Sequence, residues 1–180
     1  MSATPSTRSP RLRPILVTTF TAALFLALDL WTKSWAWHNL RRGQKVTVIE
    51  GWFYLDFSFN TGSAFGFLRD ASWSRAFFIL VTAAALIYLG RLAWTLPTRL
   101  RAAYVAIGLI AGGALGNLHD RFVRVLDGAY GVVDFIVVYY WPGQRWPAFN
   151  LADAVLVAGV ILFLLAMPKD LTKDAPKTAA

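Results

Sequence analysis

Apolar residues fall into four long runs, at about residues 14–37, 76–96, 102–118 and 149–167, with polar punctuation between them. Each run is near the roughly 20 residues that a helix needs to cross a bilayer. Two of the connecting segments carry a different period. In 44–70, Phe53, Leu55, Phe57 and Phe59 alternate with Trp52, Tyr54, Asp56 and Ser58, which is the two-residue repeat of a strand. Glu50-Gly51 forms a turn after a first short strand over Val46 to Ile49. In 122–148, "VVDFIVVYYW" is strand-like, while "DGAYG" and "WPGQ" are turn signals. The pattern predicts an all-α membrane fold: four transmembrane helices with a small extramembrane β-sheet cap on the outer side. The cap spans about 44–70 and an outer loop about 122–148. One domain covers 14–168, between polar tails at 1–13 and 169–180.

Composition strengthens the membrane reading. The chain has 180 residues, of which 57% are hydrophobic and 15% aromatic, more apolar surface than a soluble domain of this size buries. The arginines before the first run resemble the start of a signal peptide. That run lacks a small-residue cleavage site and continues into "DLWTK", so it reads as a retained span. The net charge of +8 divides by density rather than number. Nine Lys and Arg sit on the tails and on the short turn between runs two and three, and eight of the ten acidic residues lie on or near the opposite side. The positive-inside rule then places both termini in the cytoplasm, and the basic charge needs no nucleic-acid partner. With no cysteine and only His38 and His119, neither thiolate chemistry nor an HExxH zinc site is available. No metal and no cofactor are expected.

The polar residues inside the runs carry the chemistry. Run four opens with "AFNLADA", in which Asn150 and Asp153 are spaced as a helix cap and its partner three residues on. Asp29 and Lys33 are an i,i+4 pair that can neutralise each other. Asn117, Asp120 and Arg121 mark the outer end of run three, behind the small residues Gly112, Gly113 and Gly116, which suit close helix packing. Asn60 is an ordinary turn residue, and His119 reads as structural. Asp134 is flanked by Val133 and Phe135, where an ionised carboxylate is costly unless something uses it. Once the spans are oriented, the clusters at Asp29 and Lys33, at 117–121 and at 150–153 lie at one depth, beneath the loops that carry Asn60 and Asp134, and ionisable groups at membrane depth are functional candidates by default. Two carboxylates, Asp134 and Asp153, then suggest a shared proton, with one as base on water and the other as acid toward a scissile carbonyl.

The ordered set "DLWTK" (29–33), "NTGSAF" (60–65), "GGALGNLHDR" (112–121), "VVDF" (132–135) and "FNLADA" (149–154) resembles lipoprotein signal peptidase, or signal peptidase II, a bacterial membrane aspartic protease family. The resemblance spans about residues 14–167. It implies an inner-membrane, multi-pass endopeptidase with its active site near the outer face, cutting prolipoproteins before a cysteine that carries diacylglyceryl. It implies Asp134 and Asp153 as the catalytic pair. It also implies Asn60, Gly62, Asn117, Arg121, Asn150 and Ala152 around substrate or inhibitor, with Asp29, Lys33 and Asp120 as supporting charges. The implied partners are lipidated prolipoproteins, membrane lipid and globomycin-type inhibitors. One departure is the run from Arg121 to Asp134, which is several residues longer than the family pattern and affects the loop that closes over the substrate. Two other classes stay open on residues alone: a proton-coupled carrier relaying through Asp29, Lys33 and Asp153, and a non-catalytic scaffold presenting the aromatic sheet. The lack of an inverted repeat counts against the first, and the second leaves the two aspartates unused.

Overall fold

The computed structural model describes residues 11–62 and 73–168. Four helices, α1 (Leu12–Asn39), α2 (Ser74–Thr95), α3 (Arg101–Val123) and α4 (Leu151–Ala166), pack around α3. Six strands complete the fold: β1 (Val46–Ile49), β2 (Phe53–Asn60), β3 (Val125–Leu126), β4 (Ala129–Tyr130), β5 (Val132–Trp141) and β6 (Gln144–Arg145). The part of "NTGSAF" after Gly62 and most of the two tails lie outside the described residues.

The helices invert the order of a soluble protein. On α1, Phe20, Leu24 and Trp31 are exposed, while the buried positions are Asp29, Lys33 and Ala36. A helix that turns apolar residues outward and charges inward is built for a lipid surround. Among the described residues, α1, α2 and α3 are long and apolar enough to cross a membrane, and α4 is a shorter apolar helix. α4 therefore starts later than the hydropathy of the fourth apolar run predicts. Phe149 bridges to Ile136 on β5, and Asn150 is the cap, so both leave the helix to join the sheet edge. α3 instead runs on through Asn117, Asp120 and Arg121 to Val123, so those residues face neighbouring helices rather than ending the span. Gly112 lies against the Ala22 carbonyl and Gly113 against that of Ala152, which brings α1 and α4 onto α3.

The β structure is larger and less local than a cap at 44–70. One antiparallel sheet has the order β1-β2-β5-β6, so its longest strand comes from the stretch expected to be an outer loop at 122–148. That stretch is ordered for two reasons. Asp127 and Gly128 both take positive φ and close a β3-β4 hairpin, and Arg75 of α2 stacks on Tyr130 while donating from Nε to the Arg121 carbonyl. The sheet also rests on the helices. Phe57 and Phe59 meet Trp37 edge to face, and Val133 and Phe135 pack on Ala36 and Leu40 at the end of α1. Part of the aromatic face thus fills a core.

Candidate active site

β5 places Asp134 on the face opposite the apolar contacts of Val133 and Phe135, because successive strand side chains alternate. β2 reaches it through a register shift between Leu55 and Ser58, where the strand gains one residue. Beyond that bulge Asn60 pairs with Val132, two positions from Asp134 and on its face. Asn60 Nδ2 donates to Asp134 Oδ2 at 3.1 Å. Gly62 closes the corner: its N–H donates to Asn60 Oδ1 at 3.0 Å with φ at +117°, a conformation that favours glycine.

α4 arrives from the other side, its first turn anchored where the Phe135 and Ile136 N–H groups donate to the Phe149 carbonyl. Asn150 and Asp153 form a complete capping box. Asn150 Oδ1 accepts from the Asp153 N–H at 3.0 Å, and Asp153 Oδ2 accepts from the Asn150 N–H at 3.1 Å. Capping does not exhaust either side chain. Asn150 Nδ2 donates to Asp134 Oδ1 at 2.7 Å, and Asp153 Oδ1 accepts from Asn117 Nδ2 at 2.8 Å. Asn150 thus joins the two carboxyl groups, touching Asp134 with its amide and Asp153 with its backbone.

Behind them stands a buried charge network. Lys33 Nζ pairs with Asp29 Oδ2 at 2.7 Å, donates to Asn117 Oδ1 at 2.8 Å and lies 3.8 Å from Asp120 Oδ2. Holding the Asn117 carbonyl in this way turns its amide toward Asp153. Asp29 Oδ1 accepts from the Ala152 N–H at 2.9 Å, fixing the start of α4. Asp120 accepts from the Val133 N–H at 3.1 Å and pairs with Arg124 at 2.9 Å, fixing the start of β5. These supporting charges are fully buried, and each finds a partner, as buried charges must. Gly116 has a more specific task than helix packing, because a Cβ there would collide with the Asp29 carboxylate. His119 is half-exposed beside Asp120, at 3.5 Å.

Asp134 and Asp153 both open onto a cavity of about 620 Å³, which Asn60, Gly62 and Arg121 also line. Burial first, and the charge of Asp153 second, push the Asp134 carboxyl up to about 7, while the amides of Asn60 and Asn150 oppose the rise. Arg121 donates to the Asn117 backbone carbonyl at 3.1 Å and lies over the Phe78 ring, at the cavity wall. The wall also includes residues that the sequence does not single out, among them Phe78, Tyr140, Arg145 and Trp146. The "WPGQ" turn was the available signal, but only the β5-β6 pairing shows that it folds Arg145 and Trp146 back over the site. Among the described residues no group of three His, Cys, Asp or Glu is placed to hold a metal ion.

The family model for signal peptidase (SPase) II matches residues 21–169. The lipoprotein signal peptidase of Geobacter sulfurreducens is 39% identical over 84% of this chain and 91% of its own. That of Ectopseudomonas mendocina is 39% identical over 88% and 90%, respectively. A solved bacterial membrane enzyme superposes with a TM-score of 0.72 at 33% identity, covering 85% of this chain and 93% of its own. A second scores 0.69 at 30% identity, covering 91% and 94%. With the matched segment running from α1 through the capping box of α4, the chain belongs to the signal peptidase II family of membrane proteases.

Proposed function

We propose that this protease removes the signal peptide from diacylglyceryl-modified prolipoproteins, cutting before the lipidated cysteine, with Asp134 and Asp153 as its catalytic pair. The observation that carries this reading is the shared cavity: two carboxyl groups on different elements open onto it, joined by Asn150. With its carboxyl raised to about 7, Asp134 is the member that holds a proton at neutral pH. Asp153 takes a proton from water as the water oxygen attacks the scissile carbonyl carbon, and Asp134 protonates the carbonyl oxygen. The resulting gem-diol collapses as the C–N bond breaks. The leaving amine receives the proton from Asp153, and Asp134 recovers its own from a hydroxyl. Asn60 and Asn150 hold the Asp134 carboxyl in place, the Lys33-Asn117 pair orients Asp153, and Arg121 offers donors to the peptide at the cavity wall.

In this reading α4 is a fourth span, both termini face the cytoplasm, and the site lies near the outer face of a bacterial inner membrane. Five arginines at the far end of the bundle support it, namely Arg11, Arg13, Arg91, Arg99 and Arg101. So do Trp52, Trp141 and Trp146, exposed around the sheet, since aromatic residues favour the lipid–water boundary. The peptidase unit is 14–168, with passive tails at 1–13 and 169–180. The acyl chains of the substrate stay in lipid while its peptide bond enters the cavity, the space a globomycin-type inhibitor would take. The test is cleavage of a diacylglyceryl-modified prolipoprotein by purified protein in detergent. Globomycin should stop it, an unlipidated substrate should be spared, and chelators and serine-protease reagents should have no effect. Inactivation by a chelator, reversed by a divalent ion, would overturn the mechanism.

A further inference from the structure

The end of the bundle opposite the aspartates holds a second cavity that peptide cleavage does not use. It has a volume of about 530 Å³ and lies where the start of α1 meets the turn from α2 to α3. Arg13, Arg101 and Thr98 are its polar residues, and Pro14, Val17 and Val105 line it with apolar surface. Arg13 and Arg101 come from different helices, and neither forms an ion pair with a described residue. α3 starts here with no acidic residue in its first turn to offset the arginines. The walls are pre-set. Arg11 donates to the Trp94 carbonyl, Thr18 Oγ1 donates to the Tyr104 carbonyl at 2.9 Å, and the Tyr104 hydroxyl donates to the Leu96 carbonyl at 2.9 Å.

We infer that this cavity binds one anionic phospholipid, its phosphodiester between Arg13 and Arg101 and an acyl chain along Val17 and Val105. Charge complementarity selects the headgroup: two arginines from different helices line the cavity, with no carboxylate among the lining residues. The apolar side of the groove selects a lipid over a soluble phosphate, because a free anion leaves Pro14, Val17 and Val105 uncovered. The site is independent of the catalytic assignment.

The test is native mass spectrometry of the full chain from micelles doped with phosphatidylglycerol or phosphatidylcholine, alongside titration with soluble glycerol phosphate. One phosphatidylglycerol should be retained, and phosphatidylcholine and glycerol phosphate should not. Arg13→Gln with Arg101→Gln should weaken retention on the order of twenty-five-fold, at about fivefold for each basic side chain at an anionic lipid surface. Val17→Trp, which fills the groove and leaves both arginines, should also abolish retention. Each variant is checked for prolipoprotein cleavage, which should persist because the cavity lies away from the aspartates. Equal retention of both lipids, equal binding of glycerol phosphate, or undiminished retention in Val17→Trp would each overturn the assignment.

Discussion

Asp134→Asn is expected to remove activity and add stability. An ordinary aspartate titrates near about 3.9, whereas Asp134 is pushed up to about 7. The folded protein therefore holds a proton that the unfolded chain releases. Stability from this group is fully present below about pH 4 and is lost as pH rises toward 7. Roughly three pH units at about 1.4 kcal/mol each amount to a penalty of ~4 kcal/mol for the ionised, buried carboxylate. Asparagine cannot ionise, so it escapes that penalty. It keeps one acceptor oxygen for either Asn60 or Asn150 and forfeits the other bond, at about 1 kcal/mol. The variant should thus gain ~3 kcal/mol above pH 7, or on the order of 5–10 °C in Tm, with the gain disappearing near pH 4. Tryptophan fluorescence during thermal unfolding in detergent at pH 4.5, 7 and 8.5 measures this. A variant no more stable than the parent at pH 8.5, or a gain that does not vary with pH, would refute the placement of Asp134 as a buried carboxyl poised near neutrality.

Cleavage by the parent protein should fall about tenfold per pH unit above 7, as Asp134 loses the proton it donates; a flat kcat/KM profile to pH 9 removes it as the acid. Asn60→Leu takes away a hydrogen bond that favours the ionised form, so the alkaline limb should move to higher pH even as overall activity drops, and an unmoved limb means that Asn60 does not contact the acting carboxyl. Gly116→Ala would gain about 1 kcal/mol in an ordinary helix, but here its Cβ meets the Asp29 carboxylate, and lowered Tm with reduced cleavage is expected; Gly90→Ala, with nothing near its Cβ, is the control that should be neutral or stabilising. A chain lacking residues 1–8 and 171–180 should keep most of its turnover, and a large loss in purified protein would give the tails a role.

What the sequence made legible follows from which signals are local. The helices are visible because a run of apolar residues is a property of the segment itself, and β2 because Phe53 to Phe59 alternate. Asp134 and Asp153 stood out because a carboxylate in apolar surroundings needs a reason wherever the chain goes. The pairing of β2 with β5 was hidden, since it joins residues more than 70 positions apart, and with it the fate of 122–148, whose turn signals read equally well as a loop. The extension of α3 was hidden because "NLHDRF" is polar enough to end a span, and only Asp29, Lys33 and the first turn of α4 make those charges acceptable inside. From the sequence, Asn150 fits either a cap or a site residue. It is both, because its Oδ1 serves the helix while its Nδ2 reaches Asp134.

The central claim is that Asp134 and Asp153 work as one unit, and Asp153→Asn confronts it most directly because Asp153 is also a capping partner. An asparagine oxygen can still accept the Asn150 N–H, so the cap survives, and the bond from Asn117 Nδ2 is lost at about 1 kcal/mol. What the amide cannot do is accept a proton from water. Single-turnover cleavage of a diacylglyceryl-modified substrate by Asp153→Asn, Asp134→Asn and the double variant should show each single reduced at least about a hundredfold. The double variant should be scarcely worse than either, since members of one unit are not additive. An Asp153→Asn enzyme that keeps more than about a tenth of normal turnover, less than the loss expected when acid–base help disappears, would leave Asp153 as a helix cap and contradict the account.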